Sequence, residues 1–182
     1  MKYFLLKQKP EFTLLFLLIL LVYSCTSPTS KMAKYGHVFE SVMRSETRVF
    51  RGLSLGDKYD SVQLKETIKP IETDSDYLYY ELKLDTTGSF NITYSFDESG
   101  LDEIQSDILI NNASSADEVF SKFKLYFDEH YGESQNNQGY IVWTVKSEKY
   151  GLVRINLSNE SANFAAEKAP GKISLWIYPD KD

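Results

Sequence analysis

The 182-residue chain has one cysteine, two histidines and five prolines. A single cysteine excludes a disulfide framework within the chain and any multi-cysteine zinc site. Two histidines exclude a His-rich metal centre. A formal charge of −6, from 20 Lys+Arg against 26 Asp+Glu, excludes the broad basic surface that nucleic-acid binding needs. The sequence has no Gly-x-Ser-x-Gly elbow, His-Glu-x-x-His, Cys-x-x-Cys or Walker-type loop, so the specific signatures of those chemistries are missing. Long apolar runs are equally scarce. The one that stands out spans Phe12 to Tyr23, interrupted by Thr13, and as a helix it reaches only about 18 Å, short of a hydrocarbon core of ~30 Å. What the chain does have is 42% hydrophobic residues with 13 Tyr and 11 Phe, ample for one packed core and unlike a disordered composition.

Lys2, Lys7 and Lys9 precede the apolar run, which gives residues 1–24 the build of an export signal rather than a membrane span. The run ends in Leu21-Val22-Tyr23-Ser24-Cys25, which resembles the lipobox of bacterial lipoproteins. In that family a small residue precedes the cysteine. The cysteine is lipidated and becomes the new N-terminus, so the resemblance implies an acyl anchor on Cys25. Cleavage there would remove three Lys and Glu11, leaving the mature chain more acidic still. Contact with the bilayer is then expected through the lipid and not through the protein surface. Thr26 is not the aspartate of an inner-membrane retention signal, and no acidic cluster follows Cys25. By that likeness the expected place is the outer membrane, facing the periplasm.

Residues 25–30 (Cys-Thr-Ser-Pro-Thr-Ser) form a polar tether. Over residues 31–48, Tyr35, Val38, Phe39, Val42 and Met43 recur at helical spacing and predict a first helix. Residues 50–182 read as one α+β domain with halves of about 50–111 and 112–182, each a helix followed by three strands. In the first half a helix is expected over 58–69, capped by Asp57 and ended by Pro70. Strands are expected over 77–84, 89–96 and 101–110, with turns at Asp85-Thr86-Thr87-Gly88 and Asp97-Glu98-Ser99-Gly100. Their apolar residues alternate: Leu78, Tyr80, Leu82 and Leu84; Phe90, Ile92, Tyr94 and Phe96; Ile104, Ile108 and Ile110. In the second half a helix is expected from a Ser115/Glu118 capping box to Gly132, carrying Phe120, Phe123 and Phe127. Strands follow near 140–147, 151–158 and 172–178, with Val153, Ile155, Leu157, Ile173, Leu175 and Ile177 inward. The expected architecture is two-layer α+β: an antiparallel sheet of about six strands with helices on one face, built as two tandem helix-plus-three-strand units.

Phe50-Arg51-Gly52-Leu53-Ser54-Leu55-Gly56-Asp57, Tyr94-Ser95-Phe96-Asp97, His130-Tyr131-Gly132 and Trp143 resemble segments of two kinds of small α+β envelope protein. These are SmpA/OmlA (BamE)-like lipoproteins and β-lactamase inhibitor protein. The resemblance implies helices stacked on an antiparallel sheet whose open face binds another protein. It transfers no binding residue position by position.

No catalytic constellation emerges. Cys25 belongs to the anchor, and His37 and His130 read as helix residues. The run Glu72-Thr73-Asp74-Ser75-Asp76 offers carboxylates but lacks the glycine and distal glutamate of a calcium loop. No cofactor is expected. Asp60-Ser61-Val62 and Asp85-Thr86-Thr87 resemble the O-glycosylation acceptor of Bacteroidetes. The informative positions are those left on the sheet face opposite the core: Tyr77, Tyr79, Tyr140, Arg154, Trp176 and Tyr178. A solvated face should be polar, and these are instead residue types enriched at protein-binding hot spots. The leading expectation is a lipid-anchored, non-catalytic interaction module whose partner is an envelope protein. The alternatives are a carbohydrate- or peptidoglycan-processing enzyme using a carboxylate pair, and an inhibitor of an enzyme.

Overall fold

Strict apolar alternation over eight to eleven residues produces strands buried on one face only. In a computed structural model, which describes residues 30–163 and 170–180, these strands form one antiparallel sheet. The leader, Cys25 and the tether as far as Thr29 lie outside the described residues. The strands are β1 (Glu72–Thr73), β2 (Tyr77–Leu84), β3 (Gly88–Asp97), β4 (Gly100–Ile110), β5 (Gln135–Asn137), β6 (Tyr140–Ser147), β7 (Gly151–Asn159) and β8 (Gly171–Pro179). The helices are α1 (His37–Met43), α2 (Tyr59–Lys65) and α3 (Ala113–Tyr131), with 3₁₀ turns at Lys31–Tyr35 and Ser161–Asn163.

The sheet order is β1-β2-β3-β4-β8-β7-β6-β5. It corrects the expected count of about six strands to eight, with four strands after each of α2 and α3 rather than three. The two additions are the outermost strands, of two and three residues. They are exposed throughout and carry no alternating apolar residues, so periodicity has nothing to register. The halves meet where β4 pairs with β8, Ile104 opposite Ile177 and Ile108 opposite Ile173.

Leu78, Tyr80, Ile92, Tyr94, Ile104, Ile108, Ile155, Leu157, Ile173, Leu175 and Ile177 are all fully buried and share one cluster with the helices. α3 contributes Phe123, Tyr126 and Phe127. Trp143 on β6 lies against Phe127, ring centroids 5.1 Å apart, and donates its indole N–H to Asp128 at 3.0 Å.

The first helix is shorter than its periodicity suggests. Gly36, at φ 93°, separates the 3₁₀ turn from α1, and Arg44 in the left-handed region ends it. Phe39 meets Phe123 at 4.8 Å and Tyr35 meets Tyr126 at 5.2 Å, so this segment packs against α3 in the helical layer. It does not cross the other face of the sheet. The N-cap assignments also change. Asp57 accepts from Arg48 and from the Ser54 N–H instead of capping α2, whose N-cap is Lys58. Asn112, not Ser115, caps α3 by accepting the Ser115 N–H at 2.8 Å.

Phe50-Arg51-Gly52-Leu53 closes a two-residue turn, with φ 52° at Arg51 and 75° at Gly52 and both flanking residues bridged. Positive φ at both central positions is the requirement of a type I′ turn. The turn delivers Arg51 into the core, where it forms a two-bond pair with Glu66 (Nε to Oε1 2.8 Å, Nη2 to Oε2 2.7 Å). Tyr94 donates to Glu66 at 2.6 Å, Arg44 adds a contact at 3.0 Å, and the Arg51 Nη1 bonds the carbonyls of Ser41 and Val42. Both side chains of the central pair are 1% exposed. The Phe50–Leu53 turn thus has a structural task in this fold.

Candidate functional site

Register alone fixes what the open face carries. Reading across the sheet, Tyr79 stands beside Thr93, Thr93 beside Gln105, Gln105 beside Trp176, Trp176 beside Asn156, and Asn156 beside Val142. The inward neighbours of this row are buried in the core or packed against it, so the row faces away from the helices. Trp176 is 38% and Tyr140 40% exposed, while Tyr77, Tyr79, Arg154 and Tyr178 are half-buried.

The six residues predicted for this face all lie on it, but not as one patch. Trp176 and Tyr178 lie in tilted ring contact with centroids 4.5 Å apart, and Arg154 pairs in register with Tyr178. Tyr77 and Tyr79 sit on β2, three strand spacings from β8, or about 14 Å. Tyr140 lies at the far side, opposite Asn137 on β5. Between the aromatic groups run Thr93, Ser95 and Gln105, which the sequence argument left out. The same alternation that assigns inward residues on β3 and β4 would have found them.

The Trp176–Tyr178 group is held from below and at its margin. The Asn156 amide donates to the Tyr178 hydroxyl at 3.0 Å, and the Asn156 carbonyl oxygen is buried with no hydrogen-bond partner. Arg154 is bound through Nε to Asp180 at 2.8 Å, so its guanidinium is oriented rather than free to swing. Toward the other end of the strands, Lys172 bridges Asp107 (3.3 Å) and Glu160 (3.1 Å), and Ser174 donates to Asp107 at 2.6 Å. Burial opposes the ionised Glu160, but the Lys172 bond and charge outweigh it and hold its pKa below the usual carboxylate range.

At the β2 edge the balance is acidic. Burial and the charges of Glu72, Asp74 and Asp76 raise the Tyr77 hydroxyl. Burial and the Glu81 carboxylate, which accepts from Tyr79 at 3.0 Å, raise Tyr79.

His37 is exposed and lies 3.5 Å from Asp85; His130 stacks on Tyr126 at 3.9 Å. Thr86 is exposed on the β2–β3 turn, and Ser61 is exposed on α2. Among the described residues, no three His, Cys, Asp or Glu side chains converge as metal ligands. The carboxylates with a resolved shift there, Glu66, Asp128, Glu129 and Glu160, all shift downward. A general acid needs the opposite displacement. Two clefts lie away from the open face. One of about 360 Å³ is bounded by Tyr35, His37, Thr86 and Ser115, and one of about 660 Å³ by Arg48, Asp57, His130 and Lys149.

No family model, no curated protein and no solved structure matches the chain. The resemblance noted from residues 50–57 and the other short motifs therefore stands on those motifs alone.

Proposed function

We propose that the protein is a lipid-anchored, non-catalytic interaction module of the bacterial cell envelope. In this reading Cys25 carries the acyl chains, the domain faces the periplasm from the outer membrane, and an envelope protein docks on the open sheet face. The two helix-plus-strand halves serve as tandem units that together frame that face. One observation carries the reading: the Trp176 and Tyr178 rings lie in tilted contact, the first exposed and the second half-buried, on a face that no described helix covers. Trp and Tyr carry much of the binding energy where a flat surface is desolvated, and a preoriented Arg154 adds direction. Neither the anchor nor the face requires a cofactor.

The test is capture from detergent-solubilised envelopes with the full-length chain, beside a Trp176→Ala/Tyr178→Ala variant. An envelope protein retained by the parent should be lost from the variant, with affinity falling by about 2 kcal/mol or more. A retained protein indifferent to the variant would remove the open face from consideration. In parallel, Cys25→Ser should shift the chain from the membrane fraction to the aqueous fraction, because a polypeptide with no acyl chain loses about 0.8 kcal/mol for every CH₂ formerly buried. A variant that stays in the membrane fraction would contradict the anchor.

A further inference from the structure

The outer edge of β2 is only partly covered. β1 pairs with it at Leu78 and Tyr79 and goes no further. Ile71 donates to the Tyr79 carbonyl at 2.8 Å and Asp74 to that of Tyr77 at 3.0 Å, so the odd-numbered residues of β2 turn their main-chain groups outward. The next outward positions are Glu81 and Lys83. Pro70, immediately upstream of Ile71, has no N–H with which to extend the ladder. Among the described residues, no strand pairs with Tyr80–Leu84 on this side. Glu81 and Lys83 are exposed and Leu82 between them is half-buried.

Edges of this kind are ordinarily blunted by charge of one sign, which repels a second edge. Glu81 and Lys83 do the reverse. In an antiparallel pairing centred on Leu82, Glu81 stands directly opposite Lys83 of a second copy, and Lys83 opposite its Glu81. Each of these pairs exchanges both of its main-chain bonds. Both ion pairs lie on the open-face side, and the two Leu82 side chains meet at the dyad on the other side. Centring the pairing on Glu81 or on Lys83 instead places like charges opposite each other, so the charges also select the register.

We propose that two copies of this chain associate through β2, edge to edge, with Glu81 and Lys83 as the reciprocal contacts. The arrangement is isologous: one patch, complementary to itself under a two-fold axis. That axis is perpendicular to the sheet, so the two open faces lie on the same side and present two Trp176–Tyr178 groups together. The contact is short, and it is suited to chains held at high local concentration.

Across the dyad Leu82 faces its copy at a non-hydrogen-bonded position, where Cα atoms lie ~4.5 Å apart, within disulfide range. The full-length chain carrying Leu82→Cys, oxidised in detergent, should therefore yield a covalent dimer well above that of the parent, whose only cysteine is Cys25. Adding Glu81→Lys or Lys83→Glu should lower the yield by about tenfold, and the double exchange Glu81→Lys/Lys83→Glu should restore it. No excess over the parent, or a yield indifferent to Glu81→Lys, overturns the proposal. Sedimentation of the parent against Glu81→Lys, with no added cysteine, reads the same equilibrium independently. The parent should show the heavier species, and two indistinguishable monomers would likewise overturn it.

Discussion

Glu66→Gln is expected to destabilise the domain by about 3–5 kcal/mol, because it leaves the Arg51 guanidinium charged, buried and without its counter-ion. At roughly 2–4 °C per kcal/mol for a domain of this size, thermal unfolding should move down by about 10 °C. Replacing both partners, Arg51→Met with Glu66→Leu, should recover part of that loss, since neither charge then needs solvating. Full recovery is not expected. The Tyr94 hydroxyl and the carbonyls of Ser41 and Val42 lose their partner as well.

The same site sets the response to acid. Burial pushes Glu66 upward, but the Arg51 bonds and charge, the Tyr94 hydroxyl and Arg44 outweigh it, and the carboxyl is held below its ordinary value. A depressed carboxylate contributes stability above its unfolded pKa of ~4.3 and loses it as pH falls through the folded value. Stability measured from pH 7 down to pH 3 should therefore decline with a smaller slope in Glu66→Gln than in the parent. Equal slopes would show that other carboxylates govern acid unfolding.

Trp143→Ala should be comparably damaging, by about 3–5 kcal/mol, since it empties a site that is 1% exposed between the sheet and α3. Trp143→Phe should cost distinctly less. It refills most of the volume, keeps an aromatic contact to Phe127, and gives up the indole bond to Asp128, which retains Lys124. Denaturant midpoints followed by circular dichroism would rank the two. The chain has two tryptophans, so Trp143→Phe also isolates the emission of Trp176. That emission should be accessible to acrylamide, with protection on partner binding as a direct readout of the open face.

The long strands were legible because a half-buried strand writes its two faces into alternate residues. β2 and β6 have the ends expected of them, and the other long strands differ by a residue or so. β1 and β5 were not legible. Glu72-Thr73 reads as an acidic loop and Gln135–Asn137 as a polar connection, since neither buries a side chain. Helix starts misled for a different reason. Asp57 has the chemistry of a cap, but Arg48 and the Ser54 N–H claim its carboxylate, and Asn112 reaches the Ser115 N–H first. The Glu66 network was invisible because its members lie 15, 22 and 28 residues away, beyond any periodic signal. The face carrying Trp176 and Tyr178 could be read from alternation, but its division into separate aromatic groups depends on β4 lying beside β8. Alternation says nothing about which strands become neighbours.

The packing of Tyr35 against α3 bears on where an anchor would attach. The folded part begins in the helical layer, on the side of the sheet away from Trp176. If Cys25 is acylated as proposed, residues 25–30 can span at most about 20 Å between the lipid and Lys31. On that proposal the anchor would join the described domain on its helical flank, the side opposite the open sheet face. Trp176 and Tyr178 would then lie on the side of the domain away from the proposed attachment point. Inserting Gly and Ser between Cys25 and Lys31 would then extend the reach of the open face without altering any contact inside the domain.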